Sequence, residues 1–586
     1  MCGLIGVSQP GVDLQESCDR LQRRGPDSHD TYTDDHVSFA HTRLSIIDLS
    51  TDGAQPMHTG RYIIVYNGEI YNYQELRGRL DDYDYQSETD TEMIVYAYDT
   101  WGEKCLDEFN GQFAFCIYDT EENEFFLARD RYGIKPLYHH NQDNMFTFAS
   151  EIKAITPLLD DVTVSEDAFK EYLTMRFTTG DKTMVDDVNA FKPGHYMRYD
   201  LDEQRITEYD QYYELDDQPK RGYYDAIEHT REAVEESVRK RMVADVPVAS
   251  LLSGGLDSSI VTALAKEHND DLHTYSIGFD TTNELPQAKR VADALNTEHH
   301  EYRLPKEDVS DYVDDMIYRM DEPIGDPGFL PIYVLSEKVS EDYKVVLSGD
   351  GADEVFTGYD RYKLYYYGRF LRHLAIYDFD NDILSRLKAM RGKDTCDAFL
   401  SGIRLFQDDE LKELGVTPSL PREQWRDYTY DLDSAQAFDI NTLLPNDFFM
   451  KADKMSASFG LEQRVPFMDH DVVHAGFQTK PRHRLWGWDE KHVLRRAFKD
   501  RLPKPVVERD KHGFDVPIDH WFKHGLGDEL RRLLNEQRHD LYNADYAKEL
   551  LDELQGRGDN YTQNFLLAQK LWSLYVFEKW HKEYIA

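Results

Sequence analysis

Between residue 221 and about residue 350 the chain alternates amphipathic helices with short, continuously apolar runs, a pattern that few folds can satisfy. The helix DAIEHTREAVEESVRKRM leads to the strand VPVASLLSGG, the helix SSIVTALAKEH, the strand LHTYSIGF, the helix LPQAKRVADALN and the strand KVVLSGDG. Strands that are apolar along their whole length have no solvent face, so the intervening helices must cover both sides of their sheet. The outcome is a doubly wound parallel sheet, an α/β unit that binds ligands beyond the carboxyl ends of its strands. From about residue 360 the text is mostly helical, and it ends in NFLLAQKLWSLYVF. Gln569 and Lys570 mark that stretch as a core helix, and no apolar run reaches the eighteen or so residues of a membrane span.

Upstream the grammar is different. VSFAHTRLSIIDL, RYIIVYNGEIYN, GQFAFCIYDTEENEFFLARD and PLYHHNQDNMFTFAS are short β-rich runs separated by Gly, Asn and Asp turns. One helix, DTEMIVYAYDTWG, interrupts them, apolar at Met93, Ile94, Ala97 and Trp101. This predicts an α+β domain of layered antiparallel sheets over residues 1–205, a polar linker over 206–220 and the α/β domain with a largely helical C-terminal part over 221–586. A chain of 586 residues exceeds what one core supports, which agrees with that division.

Charge and cysteine usage narrow the class. A formal net charge of −44 opposes nucleic acid or an anionic membrane as partner, because both need a basic surface. The excess reads as a bulk surface property suited to high salt, where self-repulsion is screened. Five cysteines form no CxxC pair, and no basic region with an apolar core opens the chain. A reducing cytoplasm is the expected location.

Two loops carry the chemistry of the second domain. In LLSGGLDSS a buried strand runs into Gly254 and Gly255, which let the backbone approach a phosphate at a helix N-terminus. Ser253, Ser258 and Ser259 add hydroxyl donors, and Asp257 makes sense beside phosphate only with a cation between them, most simply Mg²⁺. The Walker pattern GxxxxGK[ST] is missing, so this is no P-loop NTPase. The second loop, VVLSGDGADEVFTGYD, repeats the idea with Ser348 and Gly349, and clusters Asp350, Asp353 and Glu354 at the same sheet edge. Together they predict one Mg–nucleotide site. At the other end, MCGLIGV places Cys2 where removal of Met1 would leave a thiol and a free α-amine on one carbon, a nucleophile with its own base. Those residues alone favour the plainer reading, a small apolar residue opening a buried strand.

SGGLDSS and LSGDGADEVFTGY, with ADKMSASFGLEQRVPFMD at 452–469, resemble the glutamine-hydrolysing asparagine synthetases, in which an N-terminal-nucleophile glutaminase precedes an ATP-pyrophosphatase synthetase domain. The likeness spans nearly the whole chain in the family's order. It implies that Cys2 is the mature N-terminus and attacks the glutamine amide. Arg43 would clamp the glutamine α-carboxylate, with Leu44, Ser45, Ile46 and Ile47 lining the pocket. Asn67 and Gly68 would donate to the oxyanion, and Glu69 with Asp90 would receive the α-ammonium. In the synthetase half the resemblance assigns Leu251, Leu252 and Ile277 to adenine, Ser348 and Gly349 to the α-phosphate region, and Asp257 and Asp353 to Mg²⁺. Asp350 would serve acyl-adenylate formation, and Arg464, Lys491 and Lys511 would face the leaving pyrophosphate. The chain departs from well-studied members at Asp350, where glutamate is frequent, and at Thr357, where glycine is frequent. DEPIGDPGFLP replaces a segment that some members place near aspartate, and relatives amidating other acids share that version.

The expected activity is therefore conversion of aspartate, ATP and glutamine into asparagine, AMP, pyrophosphate and glutamate, with ammonia carried internally. The expected partners are these small molecules, with a homodimer left open. One rival reading keeps the machinery and changes the carboxylate to a sugar or peptide precursor. Another is a non-catalytic glutamine sensor, which the combination of Cys2, Arg43 and two Ser-Gly loops disfavours.

Overall fold

The computed structural model describes residues 1–279, 284–304, 309–371, 394–487, 489–509, 516–558 and 561–585. The first half is two antiparallel six-stranded sheets. One runs, in spatial order, Val188–Ala190, Tyr138–Gln142, Met145–Ala149, Gly3–Val7, Ser38–Arg43 and Ser28–Thr33. The other runs Arg205–Gln211, His195–Asp200, Glu124–Arg129, Gly111–Asp119, Tyr62–Ile70 and Met57–Thr59. Alternate residues of each, such as Leu4, Phe39 and Phe148 against Ile63, Val65 and Leu127, face one another in a buried layer. This is the period-2 burial that the β-rich runs predicted.

More helix interrupts these sheets than the one read from sequence. Besides Asp90–Trp101 there are Gln15–Leu21, Tyr73–Arg79 and Glu166–Met175. The last buries Phe169, Tyr172 and Leu173, which recur at helical spacing inside an otherwise polar stretch. The strand Arg205–Gln211 also continues into the stretch expected as linker.

The second half is built on a parallel five-stranded sheet in the spatial order Glu298–Leu304, His273–Phe279, Val248–Leu251, Val345–Leu347, Glu462–Arg464. Two of these strands escaped the sequence reading. Glu298–Leu304 is a polar edge strand, and Glu462–Arg464 is only 3 residues long and carries two charges, all of it buried. Strand order reverses between Val248–Leu251 and Val345–Leu347, so a crevice opens at their carboxyl ends. The loops SGGLDSS and SGDGADE begin at those two ends.

The halves share a core. The long helix Tyr561–Tyr584 packs on Glu166–Met175, with the Phe169 and Phe577 rings 4.5 Å apart and the Tyr172 hydroxyl donating to Ser573 O at 2.7 Å. No described helix is long and apolar enough to cross a membrane.

Candidate active sites

The first site gathers at the start of Gly3–Val7, a strand flanked by Ser38–Arg43 and Met145–Ala149. Cys2 immediately precedes it, buried, and its backbone N–H donates to Asn67 Oδ1 at 2.9 Å. Burial pushes the Cys2 thiol up, and the neighbouring Met1 ammonium works against that shift. Asn67 is wholly buried and its Nδ2 finds no acceptor among the described residues. A buried amide donor without a partner is costly and therefore rare. Beside it Gly68 has φ 154, and a Cβ there would stand 2.2 Å from Gln112 O and 2.6 Å from Phe113 Cα. Only glycine lets this strand pass so close to its neighbour.

Arg43 is also buried. Its Nη1 donates to Ser50 O at 2.7 Å and its Nη2 to Asp48 O at 2.5 Å, so the turn that follows it holds the guanidinium. Leu44, Ile46 and Ile47 are buried in that turn and Ser45 is half-buried, its N–H donating to Asp27 Oδ2 at 2.7 Å. Glu69 and Asp90 form an acidic pair beneath. Asp90 accepts from the Tyr66 hydroxyl at 2.7 Å and from Ile70 N–H at 2.8 Å, and burial raises its carboxyl to about 6. Burial, reinforced by Asp90, holds Glu69 well above the usual range, and its Oε1 has no hydrogen-bond donor among the described residues. The arrangement is one fixed cation and two acids, of which Glu69 has one oxygen on Arg464 and the other without a donor among the described residues, set behind a thiol and a free amide donor. That combination suits a zwitterionic amino acid whose side-chain carbonyl is attacked.

The second site lies in the crevice of the parallel sheet. After Val248–Leu251, Leu252 is buried and Gly254 turns the loop at φ 76 into the helix Leu256–His268, with Gly255 as its N-cap. Ser258 Oγ closes the loop on Ser253, 3.0 Å from its Oγ and 3.2 Å from its N–H. Ser259 is wholly buried, with no partner for its Oγ among the described residues. Leu251 is half-buried and Ile277 is buried on the adjoining strand. Across the crevice Gly349 packs so close that a Cβ would sit 2.7 Å from Ser258 N, which brings the two loops together.

Lys491 joins their acids. Its Nζ lies 2.6 Å from Asp257 Oδ2 and 2.6 Å from Asp353 Oδ1. Burial works against this ammonium, yet the two carboxylates outweigh it and raise its pKa above the usual lysine value. Gly358 makes the approach possible, since a Cβ there would meet Asp353 Oδ1 at 1.8 Å and Lys491 Cε at 2.1 Å. Two carboxylates already converging on one cation are a hard-oxygen donor set that fits Mg²⁺. Next to them, Asp350 Oδ2 accepts from Ser348 Oγ at 2.8 Å and from Gln463 Nε2 at 2.6 Å.

One placement corrects the sequence reading. Arg464, expected at the leaving pyrophosphate, is wholly buried beneath the first domain. It binds Glu462 Oε1 at 2.7 Å, Arg241 O at 2.8 Å and Val243 O at 2.7 Å, and lies 3.2 Å from Glu69 Oε2. Its charge is spent between the two sites. Lys511 lies outside the described residues.

The asparagine synthase family matches residues 229–582, and the glutamine amidotransferase domain matches residues 1–213. The chain belongs to the asparagine synthase family. It is 32% identical to asparagine synthetase [glutamine-hydrolyzing] 1 of Bacillus subtilis (strain 168), over 99% of this chain and 96% of that one. A putative asparagine synthetase of Mycobacterium tuberculosis (H37Rv) is 30% identical over 100% of this chain and 97% of its own. Asparagine synthetase B of Escherichia coli (K12) is 28% identical over 92% and 86%. The asparagine synthase family is one of carbon–nitrogen ligases that use glutamine as amide donor.

Several polar residues at this asparagine synthase's two sites were passed over in the sequence. Lys451 stands one residue before a motif that was read, and its Nζ binds Asp326 Oδ2 at 2.8 Å close to Asp350. Arg176 pairs with the buried Asp447 at 2.9 Å in the same cluster. Buried lysines and arginines in so acidic a chain were the available signal, but burial was not legible. Gln463 and Gly358 carried no signal by type.

Proposed function

We propose that this chain is a glutamine-dependent asparagine synthetase in which Cys2, exposed as the N-terminus by loss of Met1, opens the glutamine amide. Its α-amine takes the thiol proton, and the thiolate attacks the amide carbon. Asn67 Nδ2 and the Gly68 N–H receive the oxyanion, each such donor being worth about 3 kcal/mol. Arg43 holds the substrate carboxylate, and Glu69 with Asp90 holds the ammonium. Glutamate leaves by hydrolysis of the thioester, and the ammonia passes through the interior to the second site, where shielding keeps it unprotonated.

There ATP lies across the switch point, adenine against Leu251, Leu252 and Ile277 and phosphates over the amides of Ser253, Gly254, Gly255, Ser348 and Gly349. Mg²⁺ would be held by Asp257 and Asp353, neutralising phosphate charge, while Lys491 swings towards the departing pyrophosphate. Asp350 orients the acceptor for attack on the α-phosphorus, and ammonia then displaces AMP from the β-aspartyl adenylate. The working division is a glutaminase over 1–205 and a synthetase over 221–586. We place the enzyme in the cytoplasm at high salt. With 111 acidic and 67 basic residues, its melting temperature should climb as KCl rises from millimolar to molar. A flat or falling curve would remove the salt requirement.

The observation that carries this reading is the juxtaposition in one chain of a thiol beside an unpartnered buried amide donor and two carboxylates converging on one cation. The test is AMP formation with ATP, glutamine and a panel of carboxylic acids. Aspartate should be the acid that supports it, with asparagine as product. AMP with another acid and none with aspartate would move the acceptor elsewhere.

A further inference from the structure

Asp350 carries a short side chain in the loop after Val345–Leu347, and the structure shows what holds its carboxylate. Gln463 lies in the strand Glu462–Arg464, which pairs with Val345–Leu347 just before the Asp350 loop. Its Nε2 donates to Asp350 Oδ2 at 2.6 Å and to Ser348 Oγ at 2.9 Å, closing a triangle with the Ser348–Asp350 bond of 2.8 Å. Gln463 is buried, and its own Oε1 meets no donor among the described residues. Packing alone would favour an apolar side chain there, since a buried carbonyl without a partner is destabilising. The amide is retained for what its nitrogen does.

The backbone that carries this amide is itself fixed. Gln463 O accepts from Gln112 Nε2 of the first domain at 3.4 Å, and the flanking Arg464 is bound to Glu69 and Glu462. The amide is thus delivered to Asp350 from a rigid, buried support rather than from a loop.

We infer that Gln463 is a positioning residue for acceptor activation, orienting the Asp350 carboxylate together with Ser348. The inference rests on the assignment of Asp350 to adenylate formation. Burial raises the Asp350 carboxyl and Asp353 adds to the rise, while the Lys451 ammonium opposes it first and the Ser348 and Gln463 bonds after it. Removing the amide should leave the carboxylate less ionised at a given pH and free to turn.

The test is aspartate-dependent exchange between pyrophosphate and ATP, with glutaminase turnover measured separately, in the full chain. Gln463→Leu keeps the packing and Gln463→Ala removes it, so thermal melts of the two separate packing from hydrogen bonding. Both should lose about tenfold or more in exchange kcat with little change in KM for ATP. Both should shift the acid limb of the exchange profile to higher pH and spare glutaminase turnover. Asp350→Glu added to Gln463→Ala should recover part of the exchange, because the longer carboxylate reaches without help. Unaltered exchange, an unshifted acid limb, or an equal fall in glutaminase turnover would overturn the inference. Wild-type exchange with no acceptor at all, or with one other than aspartate, would instead strike the functional reading beneath it.

Discussion

Around Cys2 the polar groups are buried and several lack partners, whereas around Asp257 the acids are partly exposed and already share one lysine. Asn67 Nδ2 and Glu69 Oε1 wait without hydrogen-bond partners among the described residues. Asp257 and Asp353 instead share the Lys491 ammonium at 2.6 Å each. On the proposed function the first site meets a neutral amide whose charge develops during reaction, so fixed dipoles can stand ready. On the same function the second receives a polyanion with its cation, and two bare aspartates there would repel it. Lys491 offsets one of the two negative charges, and on the proposed function the substrate's own cation would offset the rest. The difference predicts that the two sites fail separately and for different reasons.

The sharpest break is Cys2→Ala. It should reduce glutamine-dependent synthesis by about 10³-fold or more while leaving ammonia-dependent synthesis near wild type. Product formation with each nitrogen source reads this directly. Equal loss of both activities would make Cys2 structural and erase the contrast between the sites.

The reverse break is Asp257→Asn or Asp353→Asn. A neutral amide is a poor ligand for a hard divalent ion, so aspartate-dependent pyrophosphate exchange should fall by about 100-fold. Glutaminase turnover should persist. Near wild-type exchange in both variants would mean that the metal is held elsewhere and that Lys491 merely fills a structural ion pair.

How far these sites could be read from sequence follows the same line. The loops SGGLDSS and SGDGADE were legible because strand, glycine, hydroxyl and helix follow one another locally, and a parallel sheet dictates which end they occupy. The two missed strands lacked that grammar: Glu298–Leu304 is polar because it lies at the edge, and Glu462–Arg464 is charged because it is sandwiched between ion-pair partners. Arg464 was misplaced for that reason. As a cation in a recognisable motif it suggested phosphate, but its environment depends on Glu69, 395 residues away. Lys491 stood out in the sequence as a scarce cation, yet its bond to Asp257 spans 234 residues, a relation that only the folded sheet order creates.

A smaller effect sharpens the electrostatic side of the comparison. Asp90 titrates near 6 because it is buried, and it must be ionised to hold an ammonium. As pH falls through that value the acid becomes neutral, so glutamine affinity is lost on the acid side and retained above it. From pH 7 to pH 5 the ionised fraction drops about tenfold, and the KM for glutamine in the glutaminase reaction should rise by a similar factor. Initial rates across that range decide it. A flat glutamine KM would show that Glu69 and Asp90 do not face the substrate ammonium.

The smallest expected change concerns strain beside the second site. Thr357 closes the short helix Ala352–Phe356 in the left-handed region, at φ 63 and ψ 57, and is wholly buried. A β-branched residue there is strained by about 1–3 kcal/mol, whereas glycine is not. Replacing it frees the unfolded chain and returns about 0.5–1 kcal/mol of the gain. The bond from Thr357 Oγ1 to Phe356 O, at 2.5 Å, is also lost. Thr357→Gly should therefore stabilise by about 1 kcal/mol, raising the thermal midpoint by about 1–2 °C. The next residue, Gly358, donates its N–H to Asp353 O at 2.8 Å, so the strained turn also fixes one of the paired acids. If the midpoint rises while exchange falls, the strain serves to hold Asp353 against Lys491, as a preset charge pair requires. If the midpoint falls, the buried methyl and hydroxyl of Thr357 outweigh its backbone geometry, and the turn is held by packing instead.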